Sequence, residues 1–107
     1  MSDIEEQEKQ TKQKQKEANL NFIKIADVFI AQANKECENV DHQLVNASLL
    51  YASARFSSFI TASMSESKER FEENIDEAIK FYTEEFNKML KEHMKQYNSV
   101  FDQKKDS

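Results

Sequence analysis

The sequence predicts an all-α protein: a three-helix bundle with a central second helix and a long third helix, completed by oligomerisation. Three observations predict it. First, none of the 107 residues is glycine or proline, where average usage would supply about a dozen of the two together. Glycine is the usual left-handed helix stop and proline the usual breaker, so the chain has almost no means of writing hairpins or tight loops. Second, large apolar residues recur at three- and four-residue spacing in three separate stretches. Third, charged residues on the last stretch stand four apart with opposite sign, as in Glu66–Arg70, Asp76–Lys80 and Glu84–Lys88, a spacing that supports a solvated helix face.

Residues 1–18 read as a charged tail, either disordered or a fraying extension of the first helix. From Glu5 to Glu17 there is no apolar side chain, so nothing drives packing. Residues 19–101 read as a single helical domain. Helix one runs from Asn19 to Cys37. Phe22, Ile23, Ala26, Phe29, Ile30, Ala33 and Cys37 share one broad face. Asp27 and Asn34, seven apart, lie together at its edge. The segment Asn39–Val40–Asp41 is the turn, with Asn39 or Asp41 as the cap of the next helix.

Helix two runs from Gln43 to Met64 and carries one charge, Arg55. Leu44, Val45, Leu49, Leu50, Tyr51, Phe56, Phe59 and Ile60 cover most of its circumference, leaving a polar strip through Asn46, Ser53, Ser57 and Thr61. A helix apolar nearly all round is expected at the centre of the fold, and its alanines and serines admit close neighbours. Its length fits a membrane span. Arg55 near the middle opposes that reading, since arginine there costs about 2.5–3.5 kcal/mol.

Helix three starts near Ser65, with Ser63 and Glu66 matching a capping box. Nothing stops it before Phe101, and residues 102–107 read as a frayed C-terminus. It is about 50 Å long where the first two helices are about 30 Å each. Its last third would therefore lack a partner in a monomer. That third carries Phe86, Met89, Leu90, His93, Met94, Tyr97, Val100 and Phe101, and such a patch marks an interface. Packing against another subunit of a homo-oligomer is the expectation. The competing expectation is a bend near Asn87 that folds the end back. Phe81 lies off the main stripe and belongs to the same or a second contact.

The composition excludes several classes of function. A net charge of -5 opposes nucleic-acid binding and docking on anionic membranes, which need a basic face. The acidic start, Ser2-Asp3-Ile4-Glu5, is not a secretory signal. One cysteine, Cys37, forms no internal disulfide, so a cytoplasmic location is expected. Its place on the apolar face of helix one is that of an inert small hydrophobe. Phosphate and dinucleotide loops require glycine. The two histidines, His42 and His93, lack ligand partners at metal-binding spacing, since Leu90 stands three before His93. No metal, cofactor or catalytic centre is expected.

Arg55 is the sharpest polar residue. It shares a wheel sector with Leu44, Ser48, Tyr51, Phe59 and Ala62. A guanidinium there needs a carboxylate, and Asp27 or Glu85 qualifies. The structural reading is a salt bridge that fixes helix register. The functional reading is a site for a small anionic or amphipathic ligand, gripped by Arg55 among Asp27, Asn34 and Glu85.

Several runs carry a resemblance: Phe29-Ile30 with Ala33-Asn34; Leu49-Leu50-Tyr51-Ala52-Ser53-Ala54-Arg55-Phe56 with Phe59; Ser65-Glu66-Ser67; and Tyr82-Thr83-Glu84-Glu85-Phe86 with Met89-Leu90. Over about Phe22 to Phe101 the chain resembles a small proteobacterial family defined as a domain of unknown function. The charged segment before Asn19 is longer than the family's pattern. The resemblance implies a bacterial, all-helical protein, supplies no activity, and puts Asn34, Arg55 and Glu85 in the family's pattern. The function expected is protein–protein interaction or self-assembly without catalysis. The alternative is a ligand-binding module centred on Arg55.

Overall fold

A computed structural model of the chain describes residues 2–105, with side chains from 3 to 103. Residue 1 of the expected tail and residues 106–107 of the expected frayed end lie outside them. Three helices follow in order: α1 (Ser2–Glu36), α2 (His42–Met64) and α3 (Lys68–Lys105). The described residues contain no strand. The chain divides into two compact units, Met1–Ser53 and Ala54–Ser107. The division falls within α2.

α1 takes in the charged segment, so that segment extends the first helix. Glu, Gln and Lys are strong helix formers, and Glu5–Lys9 and Glu8–Lys12 stand at the favourable spacing of four. Thr11 donates to the Gln7 carbonyl at 2.8 Å, which keeps its hydroxyl within the helix. The helix ends without a left-handed cap, and no described residue has a positive φ. Its last carbonyls are satisfied by a tightened turn instead. Cys37 donates to Ala33, Glu38 to Lys35, and Asn39 and Val40 both to Glu36, at 3.1–3.2 Å. Asp41 then precedes α2, and its carbonyl accepts the first intrahelical bond, from Val45 at 3.1 Å.

The cap of α3 differs from the expected Ser63–Glu66 box. Ser63 stands in the last turn of α2, and the cap is Ser67. Its hydroxyl accepts from the Arg70 amide at 3.2 Å and its carbonyl from Phe71 at 2.9 Å. The cap forms where the chain leaves the helix, and α2 keeps its ladder through Met64. α3 is then one uninterrupted helix, so the fold-back near Asn87 does not occur.

Within the first unit the packed contact is small. Val45 is the one buried side chain among the described residues, and Ala33 is half-buried. Within the second unit Ser57, Ile60, Thr61 and Ser65 are half-buried together with Phe71, Ile75 and Ala78. The end of α2 meets the start of α3 there. Ser57 and Thr61, on the polar strip of α2, pack against α3. Phe56 and Phe59 point to solvent at 65% and 62% exposure. Small residues let two helices approach closely, and the hydroxyls need no outside partner. Thr61 donates to the Ser57 carbonyl at 3.0 Å and Ser65 to the Thr61 carbonyl at 2.8 Å.

Candidate interaction surface

The expected interface residues lie on α3, held there by one continuous helix. Phe86, Met89, Leu90, His93, Met94, Tyr97, Val100 and Phe101 are all exposed, the large apolar ones from 39% at Leu90 to 67% at Tyr97. The half-buried part of the stripe stops at Ala78, with Glu85 the last half-buried side chain. α3 is 38 residues long, about 57 Å at 1.5 Å per residue. Only 11 residues of α2 belong to the same unit, Ala54 to Met64, spanning about 16 Å by the same rise. The contact between them is limited by that length.

The polar candidates are distributed between the units. Asp27 and Asn34 are exposed on α1 in the first. Arg55 is exposed on α2 in the second, and Glu85 on α3 is half-buried. Glu85 is bonded to Lys88 at 3.5 Å, an i,i+3 pair. Arg55 belongs to no ion pair among the described residues. The expected Arg55–Glu85 bridge is therefore not formed within the unit that holds both. A guanidinium left in water carries no desolvation cost that would demand a carboxylate. The i,i+4 pairs read from the sequence are not closed either, and Lys68–Glu72 at 3.9 Å stands in their place. Exposed pairs contribute only a few tenths of a kcal/mol, too little to fix long side chains.

His42 lies 3.7 Å from Asp41 in the turn before α2, and His93 is exposed on α3. Cys37 is exposed in the turn after α1, as are Phe29 and Ile30 on the apolar face it was expected to share, so it is not an inert core hydrophobe.

Sequence reading missed two features. One is an open groove of about 570 Å³ in the second unit, lined by Thr61, Met64, Asn74, Glu77, Lys80 and Phe81 among others. Phe81 lines it with Tyr82, the two rings edge to face with centroids 5.4 Å apart. The off-stripe position of Phe81 was the signal for it. The other is the exposure of the broad apolar face of α1, where Phe22, Ile23, Phe29 and Ile30 are each more than half exposed.

No helix of the described residues is long and apolar enough to cross a membrane. What the surface offers chemically is apolar area, and its titratable groups are solvated.

A family model described as "Protein of unknown function (DUF3144)" matches residues 22–98. Neither the curated proteins nor the solved structures give a match.

Proposed function

From the geometry of a chain that belongs to the DUF3144 family of proteins of unknown function, we propose a helical self-assembly module that acts through protein–protein contact and without a catalytic step. One observation carries the reading: among the described residues a single buried side chain, Val45, stands against exposed large apolar residues on all three helices. Ordering a residue costs about 1–2 kcal/mol of backbone entropy. Helices of this kind owe most of their stability to packing of an apolar face. One buried valine cannot offset that cost, and burial against other chains would supply what is missing. The single exposed thiol, Cys37, supports placing the assembly in a reducing cytoplasm.

The reading that centres a small ligand on Arg55 has less support. The groove in the second unit is lined without Arg55, and its polar lining is open to solvent.

Sedimentation equilibrium on the full chain tests the proposal. The expected mass is a whole multiple of 12.6 kDa at micromolar concentration. A monomeric mass in a cooperatively folded sample would overturn it.

A further inference from the structure

Resting on the self-assembly reading, we propose that α3 pairs with α3 of a second copy, antiparallel, about a two-fold axis near position 88. Four observations on this helix converge on that partner.

The first is the pattern of the exposed stripe. Among its exposed large apolar residues, Ile79, Tyr82, Phe86, Leu90, Met94 and Tyr97 stand symmetrically about position 88. An antiparallel copy therefore sets Phe86 level with Leu90, Tyr82 with Met94 and Ile79 with Tyr97, while Met89 falls opposite Asn87 and Val100 opposite Asp76. Six large apolar residues thus meet one another across the axis, the self-complementarity an isologous interface requires.

The second is the period. Phe71, Tyr82 and His93 stand eleven apart, as do Ile75, Phe86 and Tyr97, and Ile79, Leu90 and Phe101. Eleven residues make three turns at about 3.67 residues per turn, close to an unstrained α-helix. The stripe thus keeps to one side of a helix that runs without interruption from Lys68 to Lys105. It covers far more length than the α2 segment of the same unit can reach.

The third is charge. Between Lys68 and Glu85 seven carboxylates stand with three cations; between Phe86 and Lys105 five cations stand with two carboxylates. The first half is net negative and the second net positive. Antiparallel pairing sets each acidic half beside a basic half, while parallel pairing sets like beside like.

The fourth is the apolar surface α3 leaves open. Ile79, Phe86, Leu90, Met94, Tyr97 and Phe101 are each between 39% and 67% exposed, and a contiguous apolar face of that kind marks an interface. Ile79, Phe86, Leu90, Tyr97 and Phe101 occupy the flank of the stripe beside the half-buried Phe71 and Ala78, so a second copy can lie alongside the α2–α3 contact without displacing it.

The test uses the full chain with Cys37→Ser and one added cysteine, Asn87→Cys or Asn98→Cys, each carrying a nitroxide label. Both positions flank the stripe. Pulsed electron–electron double resonance reads the distance between copies, and sedimentation equilibrium is run on the same samples and on the unlabelled chain. The expected result is a dimer with a short distance, about 20 Å or less, at position 87. At position 98 the two labels stand twenty residues apart along the axis, about 30 Å. A labelled Asn87 variant that loses dimer mass while the Asn98 variant keeps it counts as support, since position 87 then lies in the contact. Short distances at both positions would overturn the antiparallel arrangement, and long distances at both would place the interface off α3. Either outcome leaves self-assembly standing. A monomeric unlabelled chain would remove the self-assembly reading itself, and this inference with it.

Discussion

Phe86→Ala is the substitution to which the α3 pairing responds most strongly. Phe86 is 45% exposed in the single chain, so about half of its surface is left for a partner to cover. Full truncation of a buried phenylalanine costs about 3–5 kcal/mol, including the cavity left behind. The half that association covers then accounts for about 1.5–2.5 kcal/mol of it by the same scale. Two-fold symmetry makes each substitution count twice, giving about 3–5 kcal/mol per dimer on that scale. At about 1.4 kcal/mol per tenfold, the dissociation constant should rise by about 10² to a few times 10³. Sedimentation equilibrium at several loading concentrations measures it. Glu84→Ala, exposed on α3, is the control and should change the constant by less than about fivefold, since surface substitutions stay within about 0.5 kcal/mol and count twice in the dimer. A Phe86→Ala constant within the same fivefold of wild type would refute the reasoning, because a residue two positions from the axis cannot then be covered by its partner.

Other expectations follow from the local contacts. Ser67→Ala removes the one hydroxyl that accepts the Arg70 amide and should lower stability by about 1 kcal/mol in urea unfolding; an unchanged midpoint would deny Ser67 the capping role. Ser57→Leu places a bulky group on the small-residue face of α2 against α3 and should destabilise by about 1–3 kcal/mol, read as a lower melting temperature; a variant at least as stable as wild type would mean that this face is not packed. Arg55→Met and Arg55→Ala should both stay within about 0.5 kcal/mol of wild type, as befits an exposed guanidinium with no carboxylate partner; a large loss for the alanine variant alone would restore a buried pair. Raising salt from about 50 mM to 1 M shortens the Debye length to about 3 Å, and should weaken the antiparallel dimer; tighter association in salt would contradict the charge argument.

The helices were legible in the sequence because each is specified locally. The absence of glycine and proline, the apolar period of α3 and the turn at Asn39–Asp41 each act within a few residues. The start of α3 was less legible. Ser63, Ser65 and Ser67 all offer a capping oxygen, and the choice among them depends on how far the α2 ladder runs. Which side of α2 packs was not legible. Its aromatic residues outweigh Ser57 and Thr61 in any hydrophobic count, yet close approach of two helices favours small side chains over large ones. The position of Arg55 failed for the same reason. A wheel shows that it shares a sector with Phe59 and Ala62, but a wheel does not show whether anything covers that sector. The exposure of Phe86 to Phe101 was legible within the second unit, where α3 outruns the α2 segment beside it, although α1, expected to be about 30 Å long, is at 35 residues nearly as long as α3.

The central claim is that association completes the core, and thermal unfolding of the full chain across a hundredfold range of concentration tests it most directly. Mass action over that range contributes about 2.7 kcal/mol to the assembled state. At about 2–4 °C per kcal/mol for an assembly of some two hundred residues, the melting temperature should rise by about 5–10 °C from the most dilute sample to the most concentrated. A cooperative transition whose midpoint does not move with concentration would contradict the claim, since a chain that melts alone holds its core alone.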